Sequence, residues 1–272
     1  MMKLLSRFYI LIVFVLLYAP ILVVMLFSFN SSGSLSEFSG FTFYWYRELF
    51  RDGEALTALK NSLVLAVCSS LFATVLGTLA AFSIDRAKKQ WVAKTLESVN
   101  NIPMMNPDIV TGVSMMLLFV GVASMLKLSS FLGFWTMLIA HTTFNLPYVT
   151  LSVLPKFRQM DKHLTEAALD LGCTPAQTFF RVELPNILPG MISGLMMSFT
   201  LSLDDFVISH FVSSPDFKTL PLYIYNQTAH EVKFSMYALC TLMIFAILFL
   251  LIAVNVAGSV GERNQKKLRG GK

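Results

Sequence analysis

Long apolar runs separated by short polar segments make up most of the chain, and six of the runs are long enough to cross a lipid bilayer. The hydrocarbon core of a bilayer is about 30 Å thick, which a helix of about 20 apolar residues spans. The predicted spans are Phe8–Phe29, Asn61–Ile84, Pro103–Leu126, Phe131–Leu154, Ile187–Phe211 and Tyr237–Gly258. The first run is too long for the apolar part of a signal peptide and no A-x-A site follows it, so we expect it to remain as a span. The pattern predicts an all-α, polytopic membrane protein with six transmembrane helices.

Three segments follow from this pattern. Residues 1–59 hold the first span and an outer loop, whose aromatic stretch FTFYWYRELF is typical of a short helix at the level of the lipid headgroups. Residues 60–258 hold the other five spans, and residues 155–186 form a long polar loop between spans four and five. Residues 259–272 form a basic tail, which we expect near anionic headgroups.

Composition and charge agree with a membrane protein. The chain is 55% hydrophobic and only 14% charged, against about 25% charged residues in a soluble domain. Fifteen of the 21 Lys and Arg residues lie in segments on the same side as the N-terminus, and the positive-inside rule assigns that side to the cytoplasm. Both termini are therefore predicted to be cytoplasmic, and the net charge of +5 requires no nucleic-acid partner.

Two short helices are predicted in the polar loop. In Lys162–Leu171, one apolar stripe forms at helical spacing from Leu164, Ala167, Ala168 and Leu171. Asp161 is a suitable N-cap, and Gly172 suits the left-handed position that ends a helix. The following TPAQ, from Thr174 to Gln177, is a capping box that begins a second helix. The small-residue stripe suits either close approach by another protein or contact with the membrane surface.

The same loop carries a motif. Residues 166–185 read E-A-A-x3-G-x9-V-x-L-P, which resembles the EAA loop of ABC importer permeases, with Val182 where that family usually has Ile. The resemblance covers roughly residues 60–258 and implies the type I ABC importer permease fold. In that family the loop forms a coupling helix that lies in a groove of a separate ATPase and carries its motion to spans four and five. The resemblance implies these ATPase-coupling residues: Glu166, Ala167, Ala168, Asp170 and Gly172.

The chain itself is not expected to be an enzyme. It contains no G-x-x-x-x-G-K-[ST] phosphate-binding loop, so we expect no cofactor here and ATP with Mg²⁺ on the partner ATPase. Cys68, Cys173 and Cys240 are far apart and form no C-x-x-C, and the four histidines lack metal-ligand spacing, so we expect no metal. His141, inside span four, is expected to be an interhelical hydrogen-bond partner.

Two adjacent carboxylates, Asp204 and Asp205, interrupt the apolar run LSLDDFVIS toward the outer end of span five. Charged side chains within a membrane rarely face lipid. On one continuous helix, Asp205 would share a small polar face with Ser198 and Ser202. We expect that face to line a water-filled path, in which Asp205 meets a cationic substrate or forms part of an outer gate. Asp204 would pair with a neighbouring helix or subunit, and an acid pair held only by hydrogen bonds across helices is the alternative.

The residues around these acids point to one class of importer. The stretch SFTLSLDDFVISHFV, the following LPLYIYNQ, YAPILVVMLFSFN in span one and NIPMMNPDIVTGVSMMLLF in span three resemble the second permease subunits of spermidine/putrescine ABC importers. The resemblance implies a bacterial cytoplasmic-membrane protein that pairs with a homologous permease, two copies of an ATPase and an extracytoplasmic polyamine-binding protein. Polyamines are flexible polycations, which acids and aromatic faces attract. Tyr223 and Tyr225 are the candidate aromatic residues of the path.

Other classes fit the sequence less well. A related ABC permease for ferric ion, thiamine or an aminophosphonate would share the EAA loop, and neighbouring genes would distinguish it. An ion-driven transporter or channel would make little use of such a loop. An intramembrane enzyme would need acids or a Ser/His arrangement on facing helices, whereas both acids here lie on one predicted helix.

Overall fold

The computed structural model describes residues 2–34, 37–127, 132–228, 233–249 and 252, and its named elements are all helices. The α-helices are α1 (Met2–Phe27), α2 (Tyr44–Leu49), α3 (Gly53–Asp85), α4 (Gln90–Met105), α5 (Asp108–Met125), α6 (Phe134–Gln159), α7 (Lys162–Asp170), α8 (Pro175–Thr178), α9 (Leu184–Asp204), α10 (Val207–Val212), α11 (Leu220–Thr228) and α12 (Phe234–Phe249). A five-residue π-helical segment, Phe179–Glu183, joins α8 to α9. The predicted all-α class is confirmed.

Five of these helical stretches are long and apolar enough to cross a membrane: Arg7–Phe27, Gly53–Asp85, Asp108–Met125, Phe134–Gln159 and Pro175–Asp204. They correspond to the first five predicted spans. The apolar helix α12 covers the beginning of the sixth predicted span, Tyr237–Gly258. The rest of that span, except Ile252, and the basic tail lie outside the described residues.

The chain divides into two compact units, residues 1–56 with 224–272, and residues 57–223. In the first unit, Asn30 organises the loop after α1. Its side-chain amide donates to the backbone carbonyl oxygens of Ser34 and Glu37, and its backbone carbonyl accepts a hydrogen bond from Trp45 Nε1 at 2.7 Å. The short helix predicted in the aromatic stretch is present as α2.

The second unit is built around α6, which packs against α3 and α9 through close backbone contacts. A Cβ atom on Gly77 of α3 would lie 2.7 Å from Val149 Cβ, and one on Gly194 of α9 would lie 3.1 Å from Val149 Cα. Without side chains, these glycines let the neighbouring helices approach α6 closely, as small residues do between membrane helices. At one end of the unit α3 and α6 end and α4 and α9 begin, and α7 lies there; we call it the α7 end.

Span three, predicted as the single helix Pro103–Leu126, is broken. Pro103 lies inside α4, whose Asn100 side chain contacts Thr150 of α6 at 3.2 Å, and the chain then turns at Asn106 before α5. Asn106 is extended (φ −81°, ψ 141°), the conformation that a following proline favours. The predicted start was wrong: residues 103–105 are the end of α4, a helix that occupies the region assigned to a loop.

Span five, predicted as the single helix Ile187–Phe211, is broken as well. The helix α9 ends at Asp204, Asp205 is extended (φ −65°, ψ 119°), and α10 begins at Val207. The predicted single polar face therefore does not continue through Asp205. This break determines the geometry of the acid pair.

Candidate translocation and coupling site

Asp205 begins α10 rather than continuing α9. Its carboxylate accepts hydrogen bonds from the backbone N–H groups of Ile208 at 3.2 Å and Ser209 at 2.8 Å. The first N–H groups of a helix have no partner within the helix, and a carboxylate both satisfies them and matches the positive end of the helix dipole. The acid thus stabilises the break in span five.

His141 of α6 connects both sides of the break. Its Nδ1 lies 2.8 Å from Ser202 Oγ of α9, and its Nε2 lies 3.1 Å from Ser209 Oγ of α10 and 3.4 Å from Asp205 Oδ2. Ser202 also hydrogen-bonds to Ser69 of α3 at 2.9 Å. The imidazole is 1% exposed, so the prediction that His141 is an interhelical partner is confirmed.

The small polar face of α9 packs inside the chain. Ser198 and Ser202 are buried, Gly194 contacts Val149 of α6, and the Asp205 side chain is 8% exposed. The sequence predicted that this face lines a water-filled path. That prediction requires that no other helix of the chain packs against the face. Within the described unit the face is instead the contact surface with α6 and α3, because the small residues allow those helices to approach.

The neighbouring acid has the opposite environment. Asp204 is exposed at the last residue of α9. The sequence predicted that Asp205 lines the path and that Asp204 pairs with a neighbouring helix or subunit. With the break in span five, Asp205 is instead held within the chain and Asp204 is the exposed acid of the pair.

A third acid, Asp108, lies at the break in span three, and the sequence analysis did not single it out. Asp108 is the first residue of α5, directly after the break in span three, and it is exposed. One turn later, a Cβ atom on Gly112 would lie 2.8 Å from the ring of Phe211 and 3.5 Å from Ile208 Cα, both in α10. The helices that follow the two breaks, α5 and α10, thus pack against each other. The motif N-P-D at residues 106–108 was the available signal, because proline ends helices and aspartate is common in a first turn.

The two candidate tyrosines differ. Tyr223 is buried, whereas Tyr225 is 50% exposed. Both lie on α11, whose first N–H, at Leu220, donates to Ser62 Oγ of α3 at 2.7 Å. Burial makes Tyr223 a packing residue in the described structure, and Tyr225 keeps a surface that another molecule can contact.

The motif loop folds by the local contacts that its sequence predicts. The Asp161 side chain accepts from the backbone N–H of His163 at 3.0 Å, and Gly172 has the left-handed φ of +86°. Thr174 and Gln177 form both hydrogen bonds of the capping box, at 3.0 and 3.3 Å. The predicted caps are confirmed, with α7 ending at Asp170, one residue early.

Most of the predicted coupling residues form one exposed surface. Glu166, Ala167, Asp170 and Gly172 are exposed, whereas Ala168 is 7% exposed and packs inward. Leu164 and Leu171 of the predicted apolar stripe are 47% and 86% exposed, so the stripe is not the buried side of α7. The structure thus leaves an apolar surface with acids beside it free at the α7 end.

One buried acid in the loop was not singled out by the sequence. Glu183, the last residue of the π-helical segment, is 2% exposed and forms an ion pair with Arg86, which follows α3. It occupies the variable position of V-x-L-P, where the motif gives no signal. In the described part of the chain, no group of three or more His, Cys, Asp or Glu side chains has an arrangement suited to a metal ion.

Comparison with known proteins gives a consistent result. The family model described as "Binding-protein-dependent transport system inner membrane component" matches residues 73–261. The putrescine transport system permease protein PotI of Escherichia coli is 38% identical over 234 residues, covering 86% of this chain and 83% of that protein. The spermidine/putrescine transport system permease protein PotC of Escherichia coli is 37% identical over 244 residues, covering 89% of each.

Solved structures show the same fold. A chain of a bacterial ABC transporter involved in the import of the acidic polysaccharide alginate superposes with a TM-score of 0.73 at 17% identity, covering 96% of this chain and 95% of that one. A chain of the MetNI methionine ABC transporter superposes with a TM-score of 0.58 at 18% identity, covering 80% of this chain and 96% of that one.

Proposed function

The chain belongs to the family of binding-protein-dependent transport system inner membrane components, and we propose that it forms half of the membrane path of an ATP-driven polyamine importer. The observation that carries the proposal is its identity of 37–38% with polyamine permeases over at least 86% of its length. The partners in this proposal are a homologous permease, two copies of an ATPase and an extracytoplasmic polyamine-binding protein.

The exposed acids support a cationic solute. Asp108 and Asp204 lie at the two helix breaks and are exposed, whereas Asp205 is occupied by the N–H groups of α10 and by His141. Carboxylates inside a membrane are retained where they face a water-filled cavity or a partner. A flexible polycation would meet the two accessible carboxylates in turn, without any single site holding it tightly.

The exposed surface of α7 supports binding of a separate ATPase subunit. Its exposed leucines and acids lie at the end of the bundle that the positive-inside rule assigns to the cytoplasm. An ATPase that binds this surface would move α7 and, through the chain, α6 and α9. ATP and Mg²⁺ would bind the ATPase, and alternating access would follow as the helices switch between two packings.

Uptake of radiolabelled spermidine and putrescine tests this proposal. Cells without their own polyamine importers would express the chain with its neighbouring permease, ATPase and binding protein, as wild type and as Asp204→Asn, Asp108→Asn and Asp216→Asn. Asp216 is an exposed acid in the segment between α10 and α11, part of neither helix break, and serves as the matched control. We expect uptake by wild type and Asp216→Asn, and reduced uptake by the other two variants.

Two results would contradict parts of the proposal. If the assembled wild-type complex takes up neither polyamine, the solute is different. If Asp204→Asn and Asp108→Asn transport as well as Asp216→Asn, the exposed acids do not contact the solute.

A further inference from the structure

Arg86, Thr165 and Glu183 meet at the α7 end, although they belong to three separate elements. Arg86 follows α3, Thr165 lies on the buried side of α7, and Glu183 precedes α9. Oε1 of Glu183 accepts a hydrogen bond from the Arg86 guanidinium and one from the Thr165 hydroxyl at 3.2 Å. We call these three residues the Glu183 junction. The polypeptide connects α7 to α6 and α9, whereas this junction connects it to α3.

Packing alone does not explain why an acid occupies this position. Glu183 is 2% exposed, and its Oε2 has no hydrogen-bond partner among the residues that the structure describes. Its partner Arg86 is 46% exposed, and an ion pair with a solvent-exposed member contributes little net stability. An apolar side chain of similar size often stabilises a buried position better than a charged one. The acid also lies in a π-helical segment, a geometry that recurs at functional positions within helices.

The surroundings hold the junction in one arrangement. The Arg86 guanidinium lies 5.5 Å from the centre of the Phe82 ring, a cation–π contact. That ring lies edge-on to Phe157 of α6 and to Phe179 of the π-helical segment, with centroid distances of 5.9 and 5.3 Å. Arg86 is thus held by Glu183 on one side and by the Phe82 ring on the other. A displacement of α7 would pass through such contacts, because packed contacts shift between discrete arrangements instead of deforming continuously.

We propose that the Glu183 junction is a third mechanical connection, through which movement of α7 reaches α3. This inference rests on the proposed function, in which a separate ATPase moves α7. With the junction intact, α3 moves together with α6 and α9 when α7 is displaced. Without it, α7 moves while α3 lags, and ATP is hydrolysed without full opening of the path. The three junction residues are positioning residues, which act through α3.

The number of polyamine molecules taken up per ATP hydrolysed tests the junction. The complete complex would be reconstituted in proteoliposomes with Glu183→Gln, Arg86→Gln, Arg86→Lys or Thr165→Val. The matched control is Arg158→Gln, which removes the exposed ion pair of Arg158 with Glu97, at 2.8 Å between α6 and α4 at the same end. We expect the ratio to fall about fivefold or more in Glu183→Gln and Arg86→Gln, the lower range of allosteric couplings. We expect a smaller fall in Thr165→Val, partial recovery in Arg86→Lys and no change in the control.

The melting temperature of each complex separates coupling from stability. A lower melting temperature with a wild-type ratio per assembled complex would make the junction structural and overturn the proposal. If Glu183→Gln does not assemble, the ratios of Thr165→Val and Arg86→Lys decide, because these changes keep the buried charge paired.

The test also distinguishes failure of the junction from failure of the proposed function. A wild-type complex that hydrolyses ATP but takes up no polyamine would contradict the proposed solute. The junction would then be judged from the stimulation of ATP hydrolysis by the binding protein, which requires no labelled solute. Loss of stimulation in the junction variants alone would support the connection, and stimulation equal to wild type would overturn it.

Discussion

His141 Nε2 lies 3.4 Å from Asp205 Oδ2, and this contact joins α6 to the break between α9 and α10. The same carboxylate oxygen accepts the backbone N–H of Ser209, so one acid both begins a helix and links it to its neighbour. The adjacent Asp204 has neither of these contacts among the described residues and is exposed. Two consecutive acids therefore have different roles, one in the fold and one at an accessible surface.

Asp205→Asn should destabilise the purified protein, because an amide cannot accept hydrogen bonds with both of its heavy atoms. We expect a loss of about 1–2 kcal/mol in the free energy of unfolding, comparable to loss of a helix cap or a buried hydrogen bond. Asp204→Asn is the matched control and should leave thermal unfolding near wild type. Thermal melting of the two variants checks this, and equal melting temperatures would contradict the assigned roles.

Gly77→Ala should destabilise the packing of α3 on α6. The added Cβ would lie 2.7 Å from Val149 Cβ, and such overpacking typically costs about 1–3 kcal/mol. The change Val149→Ala in the same chain should restore part of the stability by removing the clash. Gly121→Ala on α5 is the control, because no atom lies within 4 Å of its added methyl group. If the melting temperature falls equally in Gly77→Ala and Gly121→Ala, the close contact between α3 and α6 is not what the added methyl group disturbs.

Gly172→Ala should weaken the end of α7. Gly172 has a φ of +86°, and an L-residue in the left-handed region costs roughly 1–2 kcal/mol. Gly172→Asn should be milder, because asparagine tolerates this conformation better. Hydrogen exchange of the α7 amides in the complex measures the effect, which should be larger for alanine. If both variants exchange as wild type does, the glycine conformation is not what holds the end of α7.

Glu166→Ala should weaken binding of the ATPase without lowering the stability of the chain. Glu166 is exposed and lies 3.2 Å from His163 Nδ1, an exposed pair that contributes little to stability. Co-purification of the ATPase and thermal melting measure the two effects. His163→Ala is the control, because it removes the same pair and keeps the acid. If both variants lose the ATPase equally, the pair within α7 matters rather than contact of Glu166 with the ATPase.

The parts of this protein that the sequence determined depend on short-range physics. Five of the six predicted spans have corresponding long apolar helices, because burying apolar residues in a bilayer depends on length and composition. The caps of α7 and α8 formed as predicted, because each is a hydrogen bond between residues two or three positions apart. The Pro107 break was signalled locally as well, although its effect on span three was missed.

The roles of individual acids were decided only by the tertiary structure. Asp205 caps α10 and contacts His141, which lies on a different helix. His141 also hydrogen-bonds to Ser202, 61 residues later in the chain. Glu183 is buried, and its partner Arg86 lies 97 residues earlier in the chain. Such contacts depend on which helix faces come together, which periodicity along one helix does not specify. The sequence by itself therefore determined which segments are helices and where the motif helices are capped. The packing of α3, α6 and α9 determined which carboxylates are buried in contacts and which remain accessible.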